Sequence, residues 1–153
     1  MSGIIGNNVA RASGVIAAAG GGTNTPAFLV TNVGTQSMTR HAVEKVTWDT
    51  ETYDTDGAFA SDKFTVPVGG AGKYFFWATL STNNNGGPNT TYMYKNGASL
   101  FYTYGTSYWP TWNFIELSAD LAEADYIEIY NKNTEPSPTA QAGSWFGGFK
   151  LID

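Results

Sequence analysis

The chain has 153 residues, enough for one domain with a substantial core, and its 15 % aromatic and 14 % charged residues exclude an intrinsically disordered protein. Eight Lys and Arg residues against thirteen Asp and Glu residues give a net charge of −5, so no basic field favours nucleic acid as a partner. The absence of cysteine excludes disulfide frameworks, thiolate zinc sites and thiol nucleophiles.

The N-terminal segment, residues 1–25, differs in composition from the rest of the chain. It is rich in Gly and Ala, carries one charge at Arg11 and has no aromatic residue, so it cannot bury enough apolar surface to fold alone. We therefore predict an arm that packs against a partner through Ile4, Ile5, Val9, Val15 and Ile16. The alternative is an ordinary N-terminal segment without a specific binding role, held only by crystal or assembly contacts. We expect no signal peptide and no transmembrane segment, because no apolar stretch is long enough.

From Pro26 onward the sequence predicts strands and turns, so the second unit, residues 26–153, is an all-β domain. The expected strands are residues 27–31, 43–48, 63–66, 73–81, 90–95, 99–104, 111–121, 125–131 and 144–152. Asn96–Gly97 predicts the clearest hairpin, because a type I′ turn needs positive φ at both central positions.

The apolar faces of these strands differ. Residues 111–121 and 125–131 alternate apolar with polar side chains, which indicates one buried and one wet face. Residues 74–80 and 145–152 carry large apolar side chains on both faces, and the second face is most economically covered by another subunit. We predict an obligate oligomer burying on the order of 2,000 Å² or more per interface. Its interface residues are predicted to be Tyr74, Phe76, Trp145, Phe149 and Leu151.

Motifs from about residue 43 to 152 resemble the C1q/TNF-like jelly-roll family in order and approximate spacing. They are an aromatic strand at Trp48, a Tyr before a turn at Tyr53, Gly-x-Phe at 57–59, Phe-Thr-x-Pro at 64–67 and Gly-x-Tyr-x-Phe at 72–76. Later motifs are the Lys-Asn-Gly hairpin at 95–97 and a terminal Ser-x-Phe-x-Gly-Phe-x-Leu at 144–151. The resemblance implies a ten-stranded jelly-roll sandwich that assembles as a homotrimer.

The opening Met1–Gly6, with Ser13–Val15 behind it, resembles the N-termini of tailed-phage virion proteins. That resemblance implies a capsid decoration, or head fibre, whose arm binds the major capsid protein or another virion protein. The family's collagen stalk does not precede the jelly-roll motifs, so its immune and hormone roles are not expected. Two alternatives stay open, a receptor-binding adhesin of the tail apparatus and a free soluble C1q-like binding module.

Catalytic motifs are missing, so we expect no enzyme. His41 is the only histidine, and no G-x-S-x-G elbow, P-loop or H-E-x-x-H pattern occurs. The acidic residues between 49 and 62 suggest calcium, but an EF-hand register through Asp54 would put Lys63 at the twelfth position. We expect no resident metal or cofactor. Calcium at the trimer apex is the alternative to a solvated acidic connector.

The aromatic stretch at residues 101–112 is the candidate binding surface. Sugars stack their apolar faces on flat rings that carry polar rims, and this chemistry suits a host-surface glycan. The candidate residues are Tyr104, Tyr108, Trp109 and Trp112. The alternative is that these rings pack the trimer or hold down a long loop.

Overall fold

The computed structural model describes residues 24–83, 85–108 and 111–153. In these residues the chain forms thirteen strands: β1 (Ala27–Asn32), β2 (Gln36–Ser37), β3 (Val43–Lys45), β4 (Thr50–Asp54), β5 (Phe59–Ala60), β6 (Lys63–Thr65), β7 (Gly72–Thr82), β8 (Asn85–Lys95), β9 (Ala98–Tyr108), β10 (Thr111–Leu121), β11 (Tyr126–Asn133), β12 (Thr139–Ala140) and β13 (Ser144–Ile152). Within these described ranges, no helix is long and apolar enough to cross a membrane.

The strands form two antiparallel sheets that pack face to face. In sheet A the main strands run in the order β10, β7, β13, β1, β4, and the short β12 joins β7 to β2. Sheet B has the order β5, β6, β11, β8, β9, with β3 also paired to β11. Three of the described strands have only two residues. The other ten divide equally between the sheets, as the predicted ten-stranded sandwich requires.

One apolar core fills the space between the sheets. Phe28 of β1 lies near its centre, with ring-centroid distances of 5.1 Å to Phe59, 5.0 Å to Phe64 and 4.9 Å to Phe146. Strands of both sheets contribute alternate residues, as the two-residue strand period demands. The alternation predicted for β10 and β11 is confirmed: Ile115, Leu121, Ile127 and Ile129 are buried in the core.

The two ends of the sandwich differ. We call the end where residues 24–26 lead into β1 the arm end, and the opposite end the far end. At the arm end, Asn24 Nδ2 donates to the Lys150 carbonyl at 3.1 Å, beside the end of β13. The Asn96–Gly97 turn lies at this end too, with φ values of 53° and 78°, which confirms the predicted hairpin. The loops that follow β7 and β11 lie at the far end, where the Asn83 side chain binds the backbone of Ser137 and Thr139.

The strand bounds agree best with prediction where apolar alternation is long. β10 and β13 begin and end as expected, whereas β3 stops at Lys45 instead of residue 48. The expectation of an acidic connector after Asp49 is wrong for Thr50–Asp54, which forms β4 on the edge of sheet A beside β1. The strand is almost fully exposed, so it lacks the apolar alternation from which strands are predicted.

Candidate functional site

Two of the predicted interface residues lie in the core, which corrects their assignment. Tyr74 and Phe76 of β7 are completely buried between the sheets. The Tyr74 hydroxyl donates to the Gly70 carbonyl at 2.6 Å, and burial is the main cause that raises the pKa of Tyr74 to about 12. Tyr74 and Phe76 share the inner face of β7 with Ala78 and Leu80, so no second subunit can reach them in the folded chain.

The alternate residues of β7 face outward. The other predicted interface residues, Trp145, Phe149 and Leu151, lie on β13 at the same outer face of sheet A. Cross-strand pairing places side chains of β10, β7, β13 and β1 in three rows: Phe114, Thr79, Trp145 and Thr31; Glu116, Trp77, Gly147 and Leu29; Ser118, Phe75, Phe149 and Ala27. We call the large apolar members, with Tyr53 and Leu151, the apolar face: Leu29, Tyr53, Phe75, Trp77, Phe114, Trp145, Phe149 and Leu151.

Three rings form the centre of the apolar face. Phe75, Trp77 and Phe149 lie with centroids 5.9 to 6.1 Å apart, a spacing typical of interacting aromatic pairs. Gly147 provides the space for one of them, because a Cβ there would lie 2.5 Å from Trp77 Cζ2. The Trp77 ring therefore rests on the bare backbone of β13.

The rim of the apolar face is mixed. At the arm end Lys73 and Asp120 form an exposed ion pair at 3.1 Å, and Leu151 lines a shallow hollow of about 200 Å³ beside them. At the other end Phe114 is 67 % exposed and Trp145 is 48 % exposed. An aromatic centre with a partly polar rim is the usual anatomy of a protein–protein interface.

The outer face of sheet B carries tyrosines instead. Tyr94 and Tyr130 stack with centroids 4.3 Å apart, and Tyr92 lies 5.8 Å from Tyr102. Lys45 Nζ and Glu128 Oε1 form an ion pair at 3.1 Å beside them. Burial, and then the charge of Glu128, raises the pKa of Tyr130. We call this surface the tyrosine face: Tyr92, Tyr94, Tyr102, Tyr104 and Tyr130.

A cleft of about 280 Å³ lies on this side of the sandwich, near the far end. Four separate parts of the chain line it: His41, Pro88, Thr90, Tyr92, Tyr104, Lys132 and Thr134. Thr90 and Tyr104 are cross-strand neighbours on β8 and β9, and Lys132 pairs with Thr90 from β11. The cleft is thus lined by aromatic rings, hydroxyls and two basic side chains.

The glycan candidates do not form one platform. Tyr104 lies on the outer face of sheet B, whereas Trp112 pairs with Ser81 and lies on the outer face of sheet A. Trp109 and the side chain of Tyr108 lie outside the described residues. Of the two candidates whose side chains the structure describes, Tyr104 lines the cleft and Trp112 does not.

The predicted anchoring residues of the arm also lie outside the described residues: Ile4, Ile5, Val9, Val15 and Ile16.

The acidic side chains after β1 bind backbone amides of neighbouring turns. Asp49 accepts from Val33 N and Gly34 N at 2.9 Å, and the Val33 amide is the main cause that lowers the Asp49 pKa. Asp54 accepts from Ala58 N and Phe59 N, and Asp62 accepts from Trp48 N. In the part of the chain that the structure describes, no three acidic or histidine side chains cluster as metal ligands would.

The outward residues Phe75 and Trp77 of β7 were not among the predicted interface residues, although the alternation of the sequence distinguishes them. Phe75 and Trp77 share their parity with Lys73 and Thr79, whereas Tyr74 and Phe76 share theirs with Ala78 and Leu80. The alternate set that includes the charged residue Lys73 is the set expected to face water. No comparable signal exists for the cleft, because its lining residues come from distant segments.

Comparisons with known proteins identify the fold. No protein-family model and no curated protein matched the chain. Among solved structures, the globular domain of a zebrafish complement 1qA protein is similar over 84 % of this chain and 98 % of its own length, with a TM-score of 0.66 and 18 % identity. Murine APRIL is similar over 82 % of this chain and 98 % of its own length, with a TM-score of 0.63 and 15 % identity. The chain therefore has the C1q/TNF-like jelly-roll fold that its motifs predicted.

Proposed function

We propose that this chain is a non-enzymatic structural protein of a phage virion. In this proposal residues 26–153 form a homotrimeric head on the capsid surface, and residues 1–25 form an arm that binds the major capsid protein or another virion protein. The head reinforces the shell and offers a surface for weak adhesion to the host. The observation that carries the proposal is the exposed apolar face of sheet A.

The apolar face supports self-association because water is a poor environment for it. Large exposed apolar patches mark interaction sites in folded proteins, and here the patch includes two tryptophans and three phenylalanines. Its partly polar rim, with the Lys73–Asp120 ion pair, suits a contact between subunits that also has a wet edge. The choice of three subunits rests on the resemblance to the C1q/TNF-like family.

The place where residues 24–26 join the sandwich supports anchoring. The chain reaches β1 at the arm end, where Asn24 and Pro26 bind the backbone of Lys150. An arm that continues from this end can hold the head to a shell and leave the far end free. The resemblance of Met1–Gly6 to phage virion proteins supports the virion as the place of attachment.

One substitution on the apolar face tests the assembly. Trp77→Glu places a charge among Phe75 and Phe149, where a subunit contact would have to desolvate it. We expect sedimentation to show a dissociated but folded chain. The control is Tyr102→Glu, on the tyrosine face of the other sheet, which should leave the mass unchanged. Dissociation by both variants, or by neither, would contradict the assignment of the interface.

Removal of the arm tests the anchoring separately. A chain that lacks residues 2–22 should still form the homotrimer, because the apolar face lies entirely in later residues. It should no longer join particles when it is supplied to virions that lack the full-length protein. Incorporation at the wild-type level would overturn the anchoring role, and it would leave the assembly of the head intact.

A further inference from the structure

We propose that the cleft on the outer face of sheet B binds a carboxylated sugar, such as a uronic acid residue of a surface polysaccharide. The inference rests on the proposed adhesive function and names its site and ligand class. The lining residues that carry it are Tyr92, Tyr104, Lys132 and His41, and Arg40 binds the backbone of Thr134, which also lines the cleft.

The distribution of basic side chains points to an anionic ligand. Four of the lysines in the described ranges form ion pairs with carboxylates: Lys45, Lys73, Lys95 and Lys150. Lys63 lies over the Tyr126 ring, 4.5 Å from its centroid. Arg40 and Lys132 have no ion pair within the described residues. Lys132 lines the cleft, and Arg40 Nε donates to the carbonyl of Thr134, another lining residue.

This arrangement is unusual for a chain with a net charge of −5. Four of its thirteen carboxylates pair with lysines away from the cleft, and the described lining of the cleft contains Lys132 and no acidic residue. His41, the only histidine, lines the same cleft. An anionic group that enters would meet a Lys ammonium and basic neighbours without having to displace a carboxylate.

The rings favour a sugar over a bare anion. Tyr92 and Tyr104 line the cleft with Lys132, so a pyranose can place an apolar face on a ring while its carboxylate contacts the ammonium. The hydroxyls of Thr90 and Thr134 also line the cleft and suit the hydroxyls of a sugar. A volume of about 280 Å³ is below the range of about 300–1,000 Å³ of pockets for drug-sized ligands, so it suits one sugar ring.

The cleft is held in place from below. Asn131 Nδ2 donates to Asn89 Oδ1 at 2.7 Å and to the Thr90 carbonyl at 3.0 Å, which joins β11 to β8 under the lining residues. Arg40 Nε donates to the Thr134 carbonyl at 2.7 Å, and His41 N donates to the Asn133 carbonyl at 2.9 Å. These bonds hold the segment 39–42 against the end of β11. A site held this way loses little entropy on binding.

The test is surface plasmon resonance of the full chain over matched polysaccharides. Polygalacturonate and galactan present the same pyranose, with a carboxylate in the first and a hydroxymethyl group in the second. We expect binding to polygalacturonate or to the uronate polymer alginate, and none to galactan. Lys132→Gln and Tyr104→Ala should each weaken binding about tenfold or more. The controls Lys63→Gln and Tyr102→Ala, on the same side of the sandwich, should change it less than about twofold.

Several results would overturn the inference. Equal loss in Lys132→Gln and Lys63→Gln would indicate diffuse charge in place of a site. Competition by inorganic phosphate that is insensitive to Tyr104→Ala would indicate an anion site without sugar recognition, and stronger competition by polyglutamate would indicate an acidic peptide. Absence of binding to every uronate polymer would overturn the cleft proposal alone, since the mass in solution tests the assembly independently.

Discussion

The outer faces of the two sheets are both rich in aromatic residues, but they differ in chemistry. On sheet A the rings are mainly Phe and Trp, whereas on sheet B they are Tyr, whose hydroxyls remain compatible with water. Glu128 on sheet B is paired with Lys45 beside its tyrosines, and the centre of the apolar face has no such pair. Aromatic content alone therefore does not identify an interface. The polar atoms on the rings separate a surface suited to burial from one suited to solvent.

The largest expected effect separates the inner from the outer face of β7. Phe76→Ala removes a fully buried ring and should lower the free energy of unfolding by about 3–5 kcal/mol. Phe75→Ala, one residue away on the apolar face, should leave the fold intact and weaken self-association. Urea denaturation at several protein concentrations distinguishes the two, because only the loss of association depends on concentration. Similar losses of fold stability in both variants would contradict the distinction between the faces.

A second, smaller effect compares two adjacent glycines of β13. A Cβ at Gly148 would lie 2.4 Å from Phe76 Cδ1 in the core, so Gly148→Ala should destabilise the fold by about 1–3 kcal/mol. A Cβ at Gly147 would push the Trp77 ring outward, so Gly147→Ala should mainly disturb assembly. Thermal unfolding and sedimentation of the two variants make the measurement. If Gly147→Ala leaves the association unchanged, the Trp77 ring is not part of the interface.

The smallest expected effect concerns the arm end, away from the centres of both faces. Lys95 forms an ion pair with Asp125 at 2.8 Å. The Asn96 side chain and the Ala122 amide also donate hydrogen bonds to the Asp125 carboxylate. These contacts, with Lys95 the largest, lower the Asp125 pKa from 3.8 to about 2. The ionised carboxylate therefore stabilises the fold above about pH 4, and this contribution is lost as the pH falls toward 2.

The variant Asp125→Asn isolates this contribution. The melting temperature of the wild-type chain should exceed that of the variant near neutral pH, and the difference should shrink as the pH falls through the interval from about 4 to 2. Assembly and binding at the cleft should be unaffected. A difference that stays constant over that interval would show that the Asp125 charge does not contribute.

Much of the fold could be predicted from the sequence, because its strands are long and their alternation is strong. Residues 111–121 and 144–152 match β10 and β13 throughout, and Asn96–Gly97 forms the expected turn. β4 could not be predicted, because an edge strand exposed on nearly all its residues has no apolar period. The need for a partner, predicted from two strands, stays a prediction, and Tyr74 and Phe76 were assigned to the wrong face.

The candidate binding surface was less predictable. Nearness in sequence suggested that Tyr104 and Trp112 act together, but the chain passes from sheet B to sheet A between them. The cleft instead combines Tyr104 with His41 and Lys132, which are far away along the chain. Only the sheet order brings these residues together.

We propose that copies of the same chain cover the apolar face. Sedimentation equilibrium of the 153-residue chain at micromolar concentration measures whether they do. We expect one species with three times the mass of a single chain, stable on dilution. A well-behaved single chain across the concentration range would contradict it.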